Sequence, residues 1–344
     1  MGNSSAKDGH HRIRHGGERV GGGTPAGGAR TFGSLGPGRV RLAVDMMGLE
    51  RMADGRRLRT WAFGSGFNND RSVPSPGSEG MEGQLRVDSL SSLMPLSSLC
   101  QGLDVGQRND GVPGTSGFVG RGDGGGHGGG HGGAAFGRVD GYENLGSSFT
   151  YRFVAPHAGT YAYHCHVDTV LHFEMGMYGT VVIRPPGGLT NVVWDGGPSF
   201  DREYIWHLHT FDSSWHDETV SNRRTVRHRP DYFMINGKDG ANAHSDPATA
   251  VNGAPGDRIL IRSSNMGYQP AVIRLGGLPF QVIASDGRPL SAPFTADQQI
   301  VAPGERYDLL LQLPSVGDWE ARVNYFDIGL RRALGAATTS IASR

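Results

Sequence analysis

One short stretch, from Gly159 to Thr180, constrains the fold of this chain more than any other. It reads GTYAYHCHVDTVLHFEMGMYGT. The alternating residues before Cys165 predict a strand that enters a loop, and the run from Tyr178 to Ile183 predicts the strand that leaves it. Further short alternating runs, punctuated by Gly and Pro, occur along the rest of the chain. Together they predict an all-β fold of the sandwich or barrel type.

The loop between these two strands is rich in metal-binding side chains, namely Cys165, His164, His166, His172, Met175 and Met177. Blue-copper sites use two His and one Cys in a plane, with a weak axial Met. Cys165, His172 and Met177 fit the ligands that one loop supplies, and the second His must come from a distant strand. Neighbours in a strand point to opposite faces, so a Cys165 that points into a barrel leaves His164 and His166 facing a second metal position.

Core packing and zinc binding are the alternatives to copper in this loop. A lone His near a strand is usually structural, and Met beside Gly usually fills a core. Packing alone does not readily place three His, one Cys and two Met within the fourteen residues HCHVDTVLHFEMGM. Zinc is the competing metal, since Cys and His also bind it. The Met partner and the lack of a Cys-x-x-Cys element in the sequence favour copper.

The same stretch resembles the signature of the multicopper oxidases and of the related copper nitrite reductases. That signature runs HCH, a short spacer, H, three residues, then GM or GL. The gap between Cys165 and His172 is longer than is usual in laccases and shorter than in nitrite reductases. In the family, the Cys, the following His and the Met bind type 1 copper. The resemblance therefore implies type 1 copper at Cys165, His172 and Met177, and a trinuclear cluster served by His164 and His166.

The resemblance, weaker outside the loop, extends over about residues 39–343 and implies two tandem cupredoxin-like Greek-key β-barrels. A length of 344 residues suits two domains. We expect a disordered Gly/Arg-rich tail over residues 1–38. The first domain spans residues 39–186 and holds a flexible Gly/His insertion over 120–147. The second domain spans residues 190–344.

An internal repeat supports the second domain but limits its chemistry. The segment from Ile300 to Tyr325 parallels the segment that leads into the copper loop. Superposing the two places Val323 opposite Cys165, and the same shift places Leu330 and Gly335 opposite the loop His and Met. The segment VIRLGGLPF also lacks the His residues of the HLHGHPF segment found in copper-bearing domains. The second domain is therefore predicted to lack type 1 ligands.

The first domain departs from the family pattern between Pro95 and Pro113. Leu96 occupies the position that matches the distant type 1 His, and a Leu side chain cannot bind a metal. Cys100 lies nearby and reads best as a small buried hydrophobe. Reduction of dioxygen needs a general acid, and Asp104 or Asp110 is the candidate for it. The sequence thus predicts an incomplete type 1 site.

A further pair of histidines, His207 and His209, lies in the second domain within YIWHLHTFDSSWH. Their spacing places both side chains on one face of a strand, as in an HxH metal pair. In the family this segment is mostly structural, and we favour the structural interpretation.

Composition excludes several classes of function. The formal net charge is +0, which gives no indication of binding to nucleic acid. The two cysteines do not form a disulfide scaffold, and the sequence holds no apolar run long enough to span a bilayer. The first residues lack the apolar segment of a signal peptide, whereas the family resemblance implies an extracytoplasmic (periplasmic or secreted) location.

The function that the resemblance implies is a copper-dependent oxidoreductase of the multicopper oxidase type. Electrons would pass from a small-molecule or protein donor through type 1 copper to a second copper site that reduces dioxygen. The alternatives are a degenerate, non-enzymatic copper-binding cupredoxin protein and a nitrite reductase-like enzyme. Analogy with the related two-domain enzymes suggests a homotrimer.

Overall fold

The computed structural model of the protein describes residues 39–63, 72–73, 82–89, 99–101, 148–154, 157–166, 169–186, 189–217, 227–330 and 332–344. The predicted tail over residues 1–38 and the predicted insertion over 120–147 lie outside these ranges. So do Leu96, Asp104 and Asp110.

The N-terminal half, residues 39–186, forms two four-stranded sheets. Its strands are β1 (Arg39–Arg51), β2 (Arg57–Phe63), β3 (Ser72–Val73), β4 (Glu82–Ser89), β5 (Leu99–Gln101), β6 (Ser148–Val154), β7 (Gly159–His164) and β8 (Tyr178–Ile183). The strand orders are β2-β1-β4-β6 and β3-β8-β7-β5. Strands β7 and β8 pair antiparallel from Gly159↔Ile183 to His164↔Tyr178, as the sequence predicted. Between them lies a short helix, α1 (Thr169–Glu174), within the segment that the sequence indicated only as a loop.

The C-terminal half, residues 190–344, is built mostly of strands as well. They are β9 (Arg202–Phe211), β10 (Tyr232–Ile235), β11 (Lys238–Asp239), β12 (Val251–Gly253), β13 (Arg258–Asn265), β14 (Ala271–Leu275), β15 (Phe280–Ser285), β16 (Arg288–Ala296), β17 (Gln299–Val301), β18 (Arg306–Gln312), β19 (Gly317–Phe326) and β20 (Ala333–Ser343). Two short helices, α2 (Ser213–Asp217) and α3 (Gly240–Ser245), follow β9 and β11. One sheet has the order β11-β10-β9-β13-β18-β15-β16 and the other β12-β20-β19-β14-β17. The all-β prediction is confirmed.

The core of the C-terminal half lies between its two sheets. Alternation sends Trp206 and Leu208 of β9, and Ile259 and Ile261 of β13, into one cluster of buried side chains. Part of the opposite face of the seven-stranded sheet is also buried, by residues 193–200 of the same half and by the N-terminal half. Strand β13 is consequently covered on both faces along almost all of its length.

Each sheet is made of strands from one half only, although the halves are joined by the chain at residues 187–189. We propose that the halves are two domains, 39–186 and 190–344, as the sequence predicts. Side chains from both contribute to one apolar cluster, in which Leu58 and Tyr178 pack with Phe211 and Met234. The two units therefore share a buried interface.

A buried ion network crosses this interface. The Arg262 guanidinium is fully buried and contacts Glu203 Oε1 at 2.6 Å and Asp308 Oδ2 at 3.2 Å. Its Nη1 also donates to Thr160 Oγ1 at 2.7 Å, and that hydroxyl donates to Asp308 Oδ1 at 2.6 Å. Arg184 completes the network with paired bonds of 2.7 and 2.5 Å to Glu203. Each buried charge thus has a partner of opposite sign.

We predict that Arg262→Met destabilises the protein by about 3–5 kcal/mol, because it leaves the buried Asp308 without its counter-ion. Urea unfolding followed by circular dichroism measures the change. Arg344→Met is the matched control, since Arg344 pairs with Asp318 at 2.7 Å on the surface, where both side chains are exposed. The unfolding midpoint of the control should stay close to that of the wild type. Equal losses in the two variants would contradict a special role for the buried network.

Candidate metal centre

Cys165 follows directly after β7 and is completely buried. Its backbone N–H donates to the Met177 carbonyl at 3.1 Å, which brings the two ends of the α1 segment together. Its Sγ lies 2.9 Å from Nδ1 of His172, and both atoms are shielded from water. A thiol and an imidazole nitrogen thus share one dry position at the end of the strand pair.

Helix α1 places His172 at this position. The imidazole is 1% exposed and packs edge-on against the Trp61 ring, with centroids 5.4 Å apart. The carbonyl of His172 accepts a hydrogen bond of 2.9 Å from the Met177 N–H. Packing against Trp61 and the α1 turn therefore fix the ring beside Cys165.

Met177 enters the site through a tight turn after α1. Gly176 has φ +103°, a conformation that favours glycine, and it reverses the chain just before Met177. The Met177 side chain is fully buried. A soft thioether is thus held on the same short segment as the thiol and the imidazole.

These residues fit copper in kind, because the three donor types match those of a blue-copper site. Within the described ranges, no group of three or more His, Cys, Asp and Glu side chains is arranged to hold a metal ion. The second planar His is therefore not found there, and Leu96, which matches its position, lies outside the described residues. The structure brings together the side chains of Cys165 and His172. The backbone of Met177 is hydrogen-bonded to the backbones of both residues.

His164 and His166 lie on either side of Cys165. Their rings stack on each other at 28° with centroids 5.8 Å apart, so they share one side of the chain. His164 Nδ1 donates to the Cys165 carbonyl at 3.0 Å. Burial lowers the pKa of His164 to about 4, which keeps the ring neutral at neutral pH. In that tautomer Nε2 carries the lone pair that a metal would need.

His207 and His209 share one face of β9, as their spacing predicted, and both contact the Tyr178 ring. His207 is held on both nitrogens, by Ser264 Oγ at 2.9 Å and Thr180 Oγ1 at 3.4 Å. These contacts link β9 to β13 and to β8, which supports the structural interpretation of His207.

A buried cluster around Glu174 was not predicted from the sequence. Glu174 ends α1, and its carboxylate is fully buried among histidines of the C-terminal half. His228 Nε2 donates to Oε2 at 2.9 Å, His216 Nε2 lies 3.4 Å from Oε1, and His209 Nε2 lies 4.0 Å from Oε2. Both segments were recognisable in the sequence, since Glu174 belongs to the HFEMGM run and His216 to DSSWH. Only the fold brings these two segments together.

Electrostatics keep the Glu174 carboxylate ionised. Burial raises the pKa of Glu174, but His216 and His228 outweigh it and lower that pKa to about 2. Burial lowers the pKa of His228, yet the hydrogen bond and charge of Glu174 raise it above the ordinary value. His209 behaves differently, since burial lowers its pKa to about 4. Glu174 is therefore a carboxylate whose nearest hydrogen-bond donor among these histidines is His228 Nε2.

The C-terminal half has no donors at the positions that match the copper loop. Val323 is buried in the apolar core of that half. Leu330 is 58% exposed in the turn between β19 and β20, and Gly335 lies within β20. Strands β19 and β20 thus pair like β7 and β8, and neither Cys nor His lies between them in the part that the structure describes.

Comparisons with known proteins identify the family of this chain. A multicopper oxidase family profile matches residues 206–343, and a second multicopper oxidase profile matches residues 142–187. A laccase from Arthroderma benhamiae is 28% identical over 184 residues, which cover 52% of this chain and 27% of the laccase. The chain therefore spans only part of the length of that curated relative.

Solved structures match the fold over most of the chain. A blue copper oxidase from Nitrosomonas europaea has a TM-score of 0.66 at 24% identity and covers 88% of this chain and 85% of its own. A copper nitrite reductase from the same organism has a TM-score of 0.62 at 18% identity, with coverages of 89% and 93%. At these identities the likeness concerns the fold, which is the all-β cupredoxin fold.

The strand pair with its buried Cys and His, and the matched profiles, define a protein of the cupredoxin class. The chain belongs to the multicopper oxidase family. Membership of this family implies copper as the cofactor. Among the described residues, no helix has the length and the apolar character that crossing a membrane requires.

We predict that Gly176→Ala weakens copper binding more than its cost in stability explains. A Cβ at φ +103° strains the turn by about 1–2 kcal/mol and displaces the adjoining Met177. Gly55→Ala is the control, since Gly55 has φ +89° in an open turn away from the site. Urea unfolding should give similar losses for both, whereas copper titration should distinguish them. Equal copper affinities in the two variants would contradict this prediction.

Proposed function

We propose that this chain is a copper-dependent oxidoreductase of the multicopper oxidase type, with a laccase-like reaction. The observation that carries the proposal is the buried 2.9 Å contact between Cys165 Sγ and His172 Nδ1. Met177, fully buried and hydrogen-bonded through its backbone to Cys165, adds the thioether. Family membership supports copper as the ion that these three residues hold.

Cys165, His172 and Trp61 have different roles at the proposed copper site. Copper, when bound, supplies one-electron transfer. Cys165 and His172 provide the strong donors, and the buried surroundings exclude water, which limits solvent reorganisation. Trp61 keeps the His172 ring in place, with ring centroids 5.4 Å apart.

We also propose that His164 and His166 serve a second copper site. Both are sequence neighbours of Cys165, and His164 Nδ1 donates a hydrogen bond of 3.0 Å to the Cys165 carbonyl. These bonds give a short connection between the two positions. The Nδ1–H of His164 orients the ring and leaves Nε2 available as a donor.

A degenerate, non-enzymatic copper-binding protein is the second candidate. It is favoured by Val323 and Leu330, which stand where a second type 1 site would need donors. It is favoured as well by the absence, among the described residues, of any His/Cys/Asp/Glu group fit to hold a metal ion. A nitrite reductase-like reaction would deliver electrons from the type 1 copper to nitrite in place of dioxygen. Family resemblance supports an extracytoplasmic location, a small-molecule or protein electron donor, and a homotrimer as further proposals.

The function is tested by copper content, visible absorption and oxygen uptake with a phenolic reductant. Several coppers per chain together with oxygen uptake support the oxidase. One copper without oxygen uptake supports the degenerate protein, and nitrite reduction without oxygen uptake supports the third reaction. A protein that binds no copper would contradict all three.

We predict that Cys165→Ser abolishes the intense visible absorption of the copper(II)-loaded protein, because that band needs the thiolate. Cys100→Ser is the control and should keep the band nearly unchanged. Absorption spectra of both variants, at matched copper content, give the answer. Equal loss in the two variants would place Cys100 in the site and refute the assignment to Cys165 alone.

We predict that Leu96→His strengthens copper binding and sharpens the visible band, since it restores a second planar nitrogen. Leu96 is assigned to this position by the family resemblance alone. Competition titration with a copper chelator measures the affinity. A wild type that already shows tight binding and a normal blue spectrum, both unchanged by Leu96→His, would place the second His elsewhere in the chain.

A further inference from the structure

Helix α1 carries the copper ligand His172 but is only six residues long. A helix of this length is unstable by itself in water, because too few hydrogen bonds offset the cost of forming its first turn. Contacts from outside the helix must therefore fix its position. Those contacts decide where the His172 ring lies.

Besides the contacts of the His172 ring and of the histidines around Glu174, three hydrogen bonds hold this segment among the described residues. The Trp61 N–H of β2 donates to the Met175 carbonyl, just past the helix, at 2.8 Å. The Tyr268 hydroxyl donates to the Val170 carbonyl near the start of the helix. The Glu174 side chain accepts from the Asp212 N–H at 2.6 Å. Two of the three come from the C-terminal half, although that half contributes no ligand to the site.

Glu174 has the most contacts of these anchors. It is two residues from His172, and residues at this spacing on a helix point in different directions. His172 faces Cys165, whereas Glu174 faces the end of β9 and helix α2. Glu174 therefore does not bind the metal, and it can affect the site only through the backbone of α1.

The partners of Glu174 are themselves fixed. His216 Nδ1 donates to the Arg59 carbonyl at 2.6 Å, and His209 Nδ1 donates to the Met266 carbonyl at 2.7 Å. Gln269 Nε2 donates to His228 Nδ1 at 3.2 Å, which directs the Nε2–H of His228 at the carboxylate. The carboxylate thus meets a set of side chains that are each held in place by a second hydrogen bond within the protein.

We propose that Glu174 is a positioning residue for the copper ligand His172, and that it sets the copper geometry from the C-terminal half. The inference rests on the proposed function for the identity of the site. Removing the charge weakens the hold of Asp212 and His228 on α1. The helix then rotates or frays, and the His172 ring moves relative to Cys165.

The test compares Glu174→Gln with Asp308→Asn. Asp308 is also a buried carboxylate that bonds across the halves, to Thr160 at 2.6 Å, but it contacts the far end of β7 rather than α1. Copper titration, the copper(II) EPR hyperfine splitting and the thermal midpoint are measured for both. We expect Glu174→Gln to lose copper affinity and to change the EPR splitting. An affinity loss of about 10–100-fold, the range for removing a group that orients a metal ligand directly, is the upper bound, because Glu174 acts through the backbone of α1.

The outcomes separate positioning from general stability. Asp308→Asn should lower the thermal midpoint and keep the wild-type EPR spectrum. The proposal is overturned if folded Glu174→Gln retains the wild-type affinity and splitting, or if both variants change the spectrum alike. Should Glu174→Gln fail to fold, His228→Gln removes one partner and keeps the Asp212 bond, and a wild-type spectrum there counts against the proposal.

A copper-independent measurement keeps this inference distinct from the proposed function. The side-chain ¹H–¹⁵N signals of histidines in metal-free protein report the His172 ring, and His172→Gln assigns its signals. We expect Glu174→Gln to shift or broaden them, and Asp308→Asn to leave them in place. A wild-type protein that does not bind copper would refute the proposed function. Unchanged His172 signals in Glu174→Gln would refute the positioning role.

Discussion

The hydrogen bond from the Cys165 N–H to the Met177 carbonyl, at 3.1 Å, is the contact on which the candidate site depends. It continues the β7–β8 pairing by one step beyond His164↔Tyr178. The chain between its ends is thereby closed, and helix α1 satisfies backbone groups of residues 169–174 in a compact form. The residues that carry the thiol and the thioether are thus paired through their backbones. Only the imidazole has to be positioned separately.

That separate positioning explains the division between the halves. The N-terminal half supplies Cys165, His172 and Met177, while the C-terminal half holds α1 through hydrogen bonds at Val170 and Glu174. A half that has no metal donors at Val323 and Leu330 can still be indispensable, because it buries the apolar face of β8 and the carboxylate of Glu174. The C-terminal half can therefore lack metal ligands and still be needed for the structure of the site in the N-terminal half.

Alternation of side chains in the sequence predicted the strands, because strand formation depends on residues that are close together in the chain. The strand before Cys165 and the strand from Tyr178 to Ile183 follow from alternation, and both are present at those residues. The helix between them was not foreseen, since six residues carry too little periodicity to distinguish a turn of helix from a loop. The contact of Glu174 with His216 and His228 joins segments distant in sequence, so no local spacing contains it.

The buried charges indicate what the interface must preserve. Arg262 pairs with Asp308, and Glu174 pairs with His228, across or beside the contact between the halves. Arg262, Asp308 and Glu174 are closed to water. An unpaired partner in either place costs far more than a surface pair, because its desolvation is not offset. Apolar contacts such as Leu58 with Met234 tolerate small shifts of one half against the other, whereas hydrogen bonds of 2.6 Å do not. The polar pairs therefore fix the register of the halves, and through α1 that register reaches the candidate copper ligand.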